Sequence, residues 1–359
     1  MYHGFCKVVS FENIGKLQVL RNMKEKQSVV VIGGGTGTHT VLRGLKQYQK
    51  QIELSAIVTM ADSGGSTGRL RDEFGFLPVG DVRMALAALA RDIDEHEELL
   101  RELFLYRFDK GNGLSGHNFG NLLLVALTDI LGSEEAAIRA AARVLRVQGN
   151  VIPVTTEKVD LVAAYADGAV LVGEHHIDEP PKERSKHRII DLVITPTVSI
   201  NPKAEEAILN ADVLVVGPGD LYTSVLANCV VPGVSDAIRH SNAKLVYVCN
   251  LMTKLGQTNG MGVGEHVNEI RRFIKRAPDY TLVNNSEFPE DLLRRYAEDE
   301  EYPVAQNCID SCGTLIVDDL VAKEEVKTAS GDTLKRSLIR HDSRQLARRI
   351  MDVCKEAEL

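Results

Sequence analysis

Glycine-rich residues near position 35 form a loop that could bind phosphate. The loop follows the apolar run 29–32, precedes a helix-like segment from Val41, and consists of Gly33, Gly34, Gly35, Thr36, Gly37 and Thr38. A buried strand that turns sharply into a helix leaves unpaired N–H groups at the helix start, where the helix dipole favours negative charge. Glycines let the backbone approach a ligand and adopt positive φ angles. The loop therefore predicts a phosphorylated ligand.

The loop matches neither of the two familiar nucleotide signatures. A P-loop has Lys followed by Ser or Thr after its last glycine, where this chain has Thr38 and His39. The dinucleotide fingerprint needs a third glycine, where this chain has Thr40. The spacing thus implies neither NAD nor a hydrolysed nucleoside triphosphate.

Composition excludes several classes of protein. The 359 residues carry a net charge of −8, which argues against a nucleic-acid partner, because binding to nucleic acid requires clustered Lys and Arg. The six cysteines include no CxxC pair, so we expect neither a disulfide scaffold nor a zinc knuckle. No apolar stretch approaches the roughly 18 residues of a membrane span, and the first 27 residues lack a signal-peptide core. These features predict a cytoplasmic protein.

Strands, loops and helices alternate along most of the chain. Apolar runs predict strands at 29–32, 54–60, 213–216, 245–249, 281–283 and 315–317. Helices are expected at 82–90, with Asp81 as N-cap, at 122–130 and 134–145, and after Ser343. This alternation predicts an α/β fold: a doubly wound, mostly parallel, Rossmann-like sheet.

The region of about 151–200 has a different character. Segments 158–167 and 169–177 flank Asp167-Gly168, a strong hairpin signal, and 187–194 could add a third strand. We therefore predict a β-rich insertion within a single domain over 28–350, with an extension at 1–27 and a tail at 351–359. His175 and His176 would lie on the hairpin and face opposite ways, which makes them a poor metal pair.

Polar loops follow five of the predicted strands. If the strands are parallel, these loops share one edge of the sheet and form a crevice suited to a polyphosphate and sugar hydroxyls. The loops span 33–38, 61–68, 217–224, 250–259 and 284–286. For any one loop, the alternative is that Gly and Asn only mark a turn.

Six motifs in order resemble those of the gluconeogenesis-factor (YvcK-like) proteins. These belong to the CofD-like superfamily, whose founding enzyme is 2-phospho-L-lactate transferase. The motifs are IGGGTG at 32–37, ADSGGSTGRLR at 61–71, GDVR at 80–83, GHNFGN at 116–121, GPGDLYTS at 217–224 and NLMT at 250–253.

The resemblance implies a UDP-sugar-binding regulator. Its ligand would be similar to UDP-N-acetylglucosamine, and its roles would lie in gluconeogenic growth, cell shape and peptidoglycan synthesis. A protein partner in cell-wall synthesis and a homo-oligomer are further expectations. The alternative is a transferase that uses a nucleotide-activated donor. The glycine spacing argues against a third possibility, an NAD(P)-dependent oxidoreductase.

Asp62 and His117 are the candidate catalytic residues, although no catalytic role is firmly predicted. Asp62 could hold a ribose hydroxyl, ligate Mg²⁺ between phosphates, or only form a turn. Ser63 stands where the family more often has a second acid, and Asp220 where it often has Ser. One carboxylate is a poorer Mg²⁺ site than two. His117 could act as a base or only pack.

The remaining candidates are ligand-binding residues. Arg83 could close on phosphate, Asn118 on a sugar hydroxyl, and, by position in the family pattern, Tyr296 and Arg340 could sandwich uracil, with Tyr302 as competitor. Further candidates are Ser66, Asn121, Gly217, Gly219, Asp220, Tyr222, Thr223, Asn250 and Thr253.

Overall fold

A parallel sheet forms the centre of the molecule. The computed structural model describes residues 26–308, 312–323 and 337–357. Within these residues the sheet has seven strands in the order β3-β2-β1-β7-β8-β9-β10. They are β1 Gln27–Gly33, β2 Ile52–Val58, β3 Asn150–Pro153, β7 Val213–Val216, β8 Lys244–Val248, β9 Tyr280–Asn284 and β10 Thr314–Asp318. All neighbouring pairs are parallel, which confirms the predicted α/β class.

The central strands are apolar because helices cover both faces of the sheet. The side chains of Val29, Val30, Val31 and Ile32 are fully buried, as expected for an inner parallel strand. Strand order reverses between β1 and β7, so the chain is doubly wound and has a switch point there.

Helices connect the strands, and several begin at a side-chain cap. Asp94, Ser133, Asn201 and Asp342 accept hydrogen bonds from backbone N–H groups of the first turn. The helices are α1 Gly35–Leu45, α2 Gly65–Phe74, α3 Gly80–Leu89, α4 Glu95–Leu105, α5 Phe119–Leu131, α6 Glu134–Val144, α7 Glu174–Asp178, α8 Pro202–Leu209, α9 Val234–His240, α10 Val263–Ile274, α11 Glu290–Glu298 and α12 Ser343–Glu356. A π-helical segment, Leu221–Leu226, continues into the turn Ala227–Cys229.

The insertion is smaller than predicted. Its antiparallel sheet has the order β5-β4-β6, with β4 Asp160–Tyr165, β5 Val170–Val172 and β6 Ile189–Thr195. Residues 150–153 instead pair with β2 in the main sheet. The hairpin at Asp167-Gly168 is present, but its second strand stops at Val172.

The prediction that His175 and His176 lie on a strand is wrong. Gly173 has φ +97°, a left-handed conformation that ends β5, and both histidines lie in helix α7.

Three further predictions concern the two ends of the chain, the cysteines and membrane-spanning helices. Helix α12 continues to Glu356, so the boundary placed at 350 falls inside a helix, and residues 1–25 of the predicted extension lie outside the described residues. Cys308 and Cys312, four positions apart, form a disulfide, which the absence of a CxxC pair gave no reason to expect. Among the described residues, no single helix could cross a membrane by length and composition, although the bent pair Leu221–Cys229 and Val234–His240 passes that test together.

Candidate functional site

Two glycine loops meet at the switch point. A Cβ at Gly37 would lie 2.1 Å from the carbonyl oxygen of Pro218, and a Cβ at Gly219 would lie 3.4 Å from the carbonyl oxygen of Gly34. Real Cβ atoms do not approach a carbonyl oxygen as closely as the first of these distances. Glycine at 37 is therefore required for the loops that follow β1 and β7 to pack together, as their shared sheet edge predicted.

The start of α1 presents backbone donors at this junction. Gly34 occupies the N-cap without a side-chain cap, and Gly35 has φ +63°. The Gly35 N–H donates to Asp81 Oδ1 at 2.7 Å. Thr38 Oγ1 is buried and has no hydrogen-bond partner in the described part of the chain. The helix start thus combines donors with a buried hydroxyl, the surroundings that an anion prefers.

Asp81 does not cap its own helix, contrary to prediction. Helix α3 begins two residues earlier than predicted, at Gly80, and the Asp81 carboxylate reaches across to Gly35 instead. Burial and the charge of Asp62 raise the pKa of Asp81 to about 7. Sequence reasoning missed Asp81 as a site residue because its partner is 46 positions away.

Asp62 lies beside Asp81 and forms a local turn. Its Oδ1 accepts from the Gly64 N–H at 2.9 Å, and a Cβ at Gly80 would lie 2.1 Å from Oδ2. Burial raises the pKa of Asp62 despite that hydrogen bond. Among the described residues, no three His, Cys, Asp or Glu side chains are placed to hold a metal. Two carboxylates still match the usual manner of Mg²⁺ binding, in which substrate phosphates and water complete the shell.

Buried polar side chains connect the 61–68 loop to helices α3 and α5. Ser66 Oγ lies 3.0 Å from His117 Nδ1 and accepts from Asn121 Nδ2 at 3.2 Å, while Arg83 Nε donates to Asn121 Oδ1 at 2.8 Å. Asn118 caps α5 by accepting from the Gly120 N–H at 2.9 Å. These contacts show capping and packing by Asn118 and His117, and burial lowers the pKa of His117.

The loop after β7 is held by polar contacts from three directions. Asn250 Nδ2 donates to the Gly219 carbonyl at 2.8 Å, and the Tyr222 hydroxyl donates to Glu269 at 3.0 Å. Thr223 Oγ1 donates to Asp178 Oδ1 at 3.0 Å. Thr253, in contrast, pairs its backbone and hydroxyl with Tyr302. Asp178 belongs to α7, so the insertion contributes directly to the crevice.

The insertion supplies acids that the sequence did not reveal. Glu174 Oε2 accepts from the Ser63 N–H at 3.4 Å, and Asp178 bonds Lys254 of the loop after β8. The strand predicted over 169–177 therefore missed helix α7, in which Glu174 contacts the 61–68 loop and Asp178 contacts the loops after β7 and β8.

A set of arginines, called here the cationic set, influences His39 in helix α1, directly after the glycine loop. Burial lowers the pKa of His39 to about 3, and the positive charges of four arginines add to this effect. The four are Arg101, Arg43, Arg340 and Arg83. The imidazole is therefore neutral at physiological pH, and the arginines supply the positive charge. Of His39 and the four arginines, the sequence analysis singled out only Arg83 and Arg340 as site residues. The four arginines lie in four separate segments of the chain, so their sequence spacing does not reveal that they act on one group.

Tyr296 and Arg340 are brought near each other. The Tyr296 hydroxyl accepts from the N–H groups of Leu338 at 2.9 Å and Ile339 at 3.2 Å, directly before Arg340. The ring of Tyr296 is only 8% exposed and packs with Leu251 and Ile339. Tyr296 therefore supports the segment that carries Arg340 and offers little free ring surface to a base. Tyr302, the competitor, is 53% exposed.

Comparisons with known proteins agree with this architecture. A family model described as "2-phospho-L-lactate transferase CofD" matches residues 29–349. A "putative gluconeogenesis factor" of Thermotoga maritima is 40% identical, with 89% of this chain and 96% of the relative covered. The "gluconeogenesis factor" of Bacillus subtilis is 37% identical, with 93% of this chain and all of the relative covered.

A solved structure has the same fold. A crystal structure of a Bacillus halodurans protein matches with a TM-score of 0.81 at 37% identity, covering 91% of this chain and 99% of that one. A second crystal structure of the same protein, described as a member of the UPF0052 family, matches with a TM-score of 0.80 at 36% identity, over the same shares of the two chains. The chain belongs to the gluconeogenesis-factor family, within the CofD-like superfamily.

Proposed function

We propose that this protein binds a UDP-activated sugar of the UDP-N-acetylglucosamine type and acts as a cytoplasmic, ligand-responsive regulator. The observation that carries the proposal is the packing of the glycine loop against the Pro218 loop, beside the cationic set. The names of the relatives support a role in gluconeogenic growth. Roles in cell shape and peptidoglycan synthesis, and a protein partner there, follow from the family resemblance.

The crevice suits a diphosphate group. Backbone donors at the start of α1 and the buried Thr38 hydroxyl can bond phosphate oxygens, and Arg43, Arg83 and Arg101 can offset their charge. Arg83 is 6% exposed and is oriented by Asn121. A fixed guanidinium loses little side-chain entropy on binding an anion.

The base would lie toward Arg340. A guanidinium can stack on the face of a uracil ring. Because the Tyr296 ring is largely buried, we assign the stacking contact to Arg340 and treat Tyr296 as its support. Asp62 and Asp81 would hold Mg²⁺ when a diphosphate is bound, and the ion would supply neutralising charge between the phosphates.

A thermal-shift panel tests the ligand class. The probes are UDP-N-acetylglucosamine, UDP-glucose, GDP, GTP and NAD. Saturation at 100 times Kd should stabilise the protein by about 2.7 kcal/mol. Stabilisation by the two UDP-sugars alone supports the proposal, whereas a response to NAD alone contradicts it.

A transferase of the phospholactate type is the second candidate. It is favoured by the paired carboxylates Asp62 and Asp81, whose raised pKa values are common at catalytic sites. It requires a guanine-nucleotide donor. Tighter binding of GDP than of UDP-N-acetylglucosamine would therefore favour the transferase over the regulator.

A further inference from the structure

Lys254 is a cation placed between two acids of the crevice. It lies in the loop after β8, and its side chain is 25% exposed. Its Nζ lies 2.5 Å from Asp178 Oδ1 and 2.9 Å from Asp220 Oδ2. The two carboxylates raise the pKa of Lys254 although burial acts in the opposite direction, so the side chain stays charged.

The two acids belong to different parts of the molecule. Asp178 ends helix α7 of the insertion, and its Oδ1 also accepts from Thr223 and from Gln257 Nε2, each at 3.0 Å. Asp220 follows Gly219, in the loop that packs on the glycine loop. The ammonium therefore joins the insertion to the loops of the proposed diphosphate site.

Negative charge is concentrated around this pair. Burial raises the pKa values of Asp220, Asp62, Glu174 and Asp81; the charge of Asp178 adds to the first three rises, and that of Asp220 adds to the rise at Asp81. Asp220 is itself a departure, because the family's loop pattern often has Ser at this position. A diphosphate entering the crevice would meet these carboxylates, and Lys254 is the cation that bonds two of them.

We propose that Lys254 is a positioning residue that sets the affinity for the ligand's diphosphate by neutralising Asp178 and Asp220. This inference rests on the proposed function. Loss of the ammonium leaves one additional negative charge near the phosphates. At a separation of about 10 Å and an effective dielectric constant of about 20, one charge changes binding on the order of tenfold.

The test is calorimetry with UDP-N-acetylglucosamine and with inorganic pyrophosphate. Lys254→Met should weaken both by about tenfold, and added salt should reduce the difference. Asp220→Asn combined with Lys254→Met restores the net charge near the phosphates, so affinity should return to within about threefold of the parent. Asp220→Asn alone should bind at least as tightly as the parent. Lys203→Met is the control, since it removes an ion pair of 2.6 Å with Glu135 in another part of the protein.

The outcomes separate the two proposals. If the parent binds neither probe, the proposed function fails and this inference fails with it. If the parent binds but Lys254→Met binds equally well, or the double variant remains as weak as the single one, only the inference fails. If Lys254→Met does not fold, Asp220→Asn decides: weaker binding by that variant would mean that the bridge is merely structural and would overturn the inference.

Discussion

Replacing Gly37 with alanine tests whether the meeting of the two glycine loops makes the site. The new Cβ would lie 2.1 Å from the Pro218 carbonyl oxygen, 2.5 Å from its carbon and 3.0 Å from the Gly219 nitrogen. All three are backbone atoms, so no flexible side chain can move aside. One loop must shift by about 1 Å to restore van der Waals contact.

Two energies of opposite sign determine the stability of this variant. Alanine inside a helix is favoured over glycine by about 1 kcal/mol, whereas overpacking costs about 1–3 kcal/mol. A backbone clash belongs at the upper end of that range. We therefore expect a net loss of about 1–2 kcal/mol, measured by denaturant unfolding.

Binding should suffer more than stability. A shift of about 1 Å removes well-aligned N–H contacts to phosphate, so affinity for UDP-N-acetylglucosamine should fall by about tenfold or more, since each good hydrogen bond to a charged group contributes about 1.5–3 kcal/mol. Gly233→Ala is the control for lost stability: its φ of +100° disfavours a side chain and its Cβ would lie 2.6 Å from the Ile200 side chain, outside the crevice loops, so it should lose stability but keep affinity. Unchanged affinity in a folded Gly37→Ala variant would refute the assignment of the loop.

Three other substitutions test separate parts of the crevice by calorimetry. If the Asp62 carboxylate holds Mg²⁺, Asp62→Asn should weaken UDP-sugar binding strongly, and excess Mg²⁺ should partly restore the affinity. A smaller loss of affinity that does not depend on the Mg²⁺ concentration would indicate a ribose contact. Arg340→Ala should weaken UDP-N-acetylglucosamine by roughly 1–3 kcal/mol and pyrophosphate much less, and equal losses would contradict base stacking. In the absence of Mg²⁺, affinity of the parent should fall as pH rises through about 7, the pKa of Asp81, because the ionised carboxylate repels the phosphates, and Asp81→Asn should remove this dependence. If the affinity of Asp81→Asn still depends on pH, another group is responsible for that dependence.

The sheet and its polar edge were predictable because their signals are local. The inner strands are apolar runs with small polar residues at or within a few positions of their ends, as in Val213–Val216 before Gly217. Once strands are parallel, topology alone brings those loops to one edge. The contact between residues 37 and 218 could therefore be predicted without knowing the position of any side chain.

Helix α7 could not be predicted in the same way. Residues 169–177 continue a hairpin signal with β-branched residues, and only the positive φ of Gly173 separates the strand from the helix. The cationic set was hidden for another reason. Arg43, Arg101 and Arg340 come from different segments, so their proximity depends on helix packing and leaves no spacing in the sequence.

The buried carboxyl group of Asp81 lowers the stability of the fold at neutral pH. Its carboxylate takes the Gly35 N–H, a donor that a bound phosphate would also use. Because the folded pKa is about 7, above the ordinary value of 3.8, the folded protein binds the Asp81 proton more tightly than the unfolded chain does. The stability contributed by this group is therefore complete at low pH and is lost as pH rises toward 7. A buried acid that destabilises the fold at neutral pH is expected where a site, rather than the core, determines the residue.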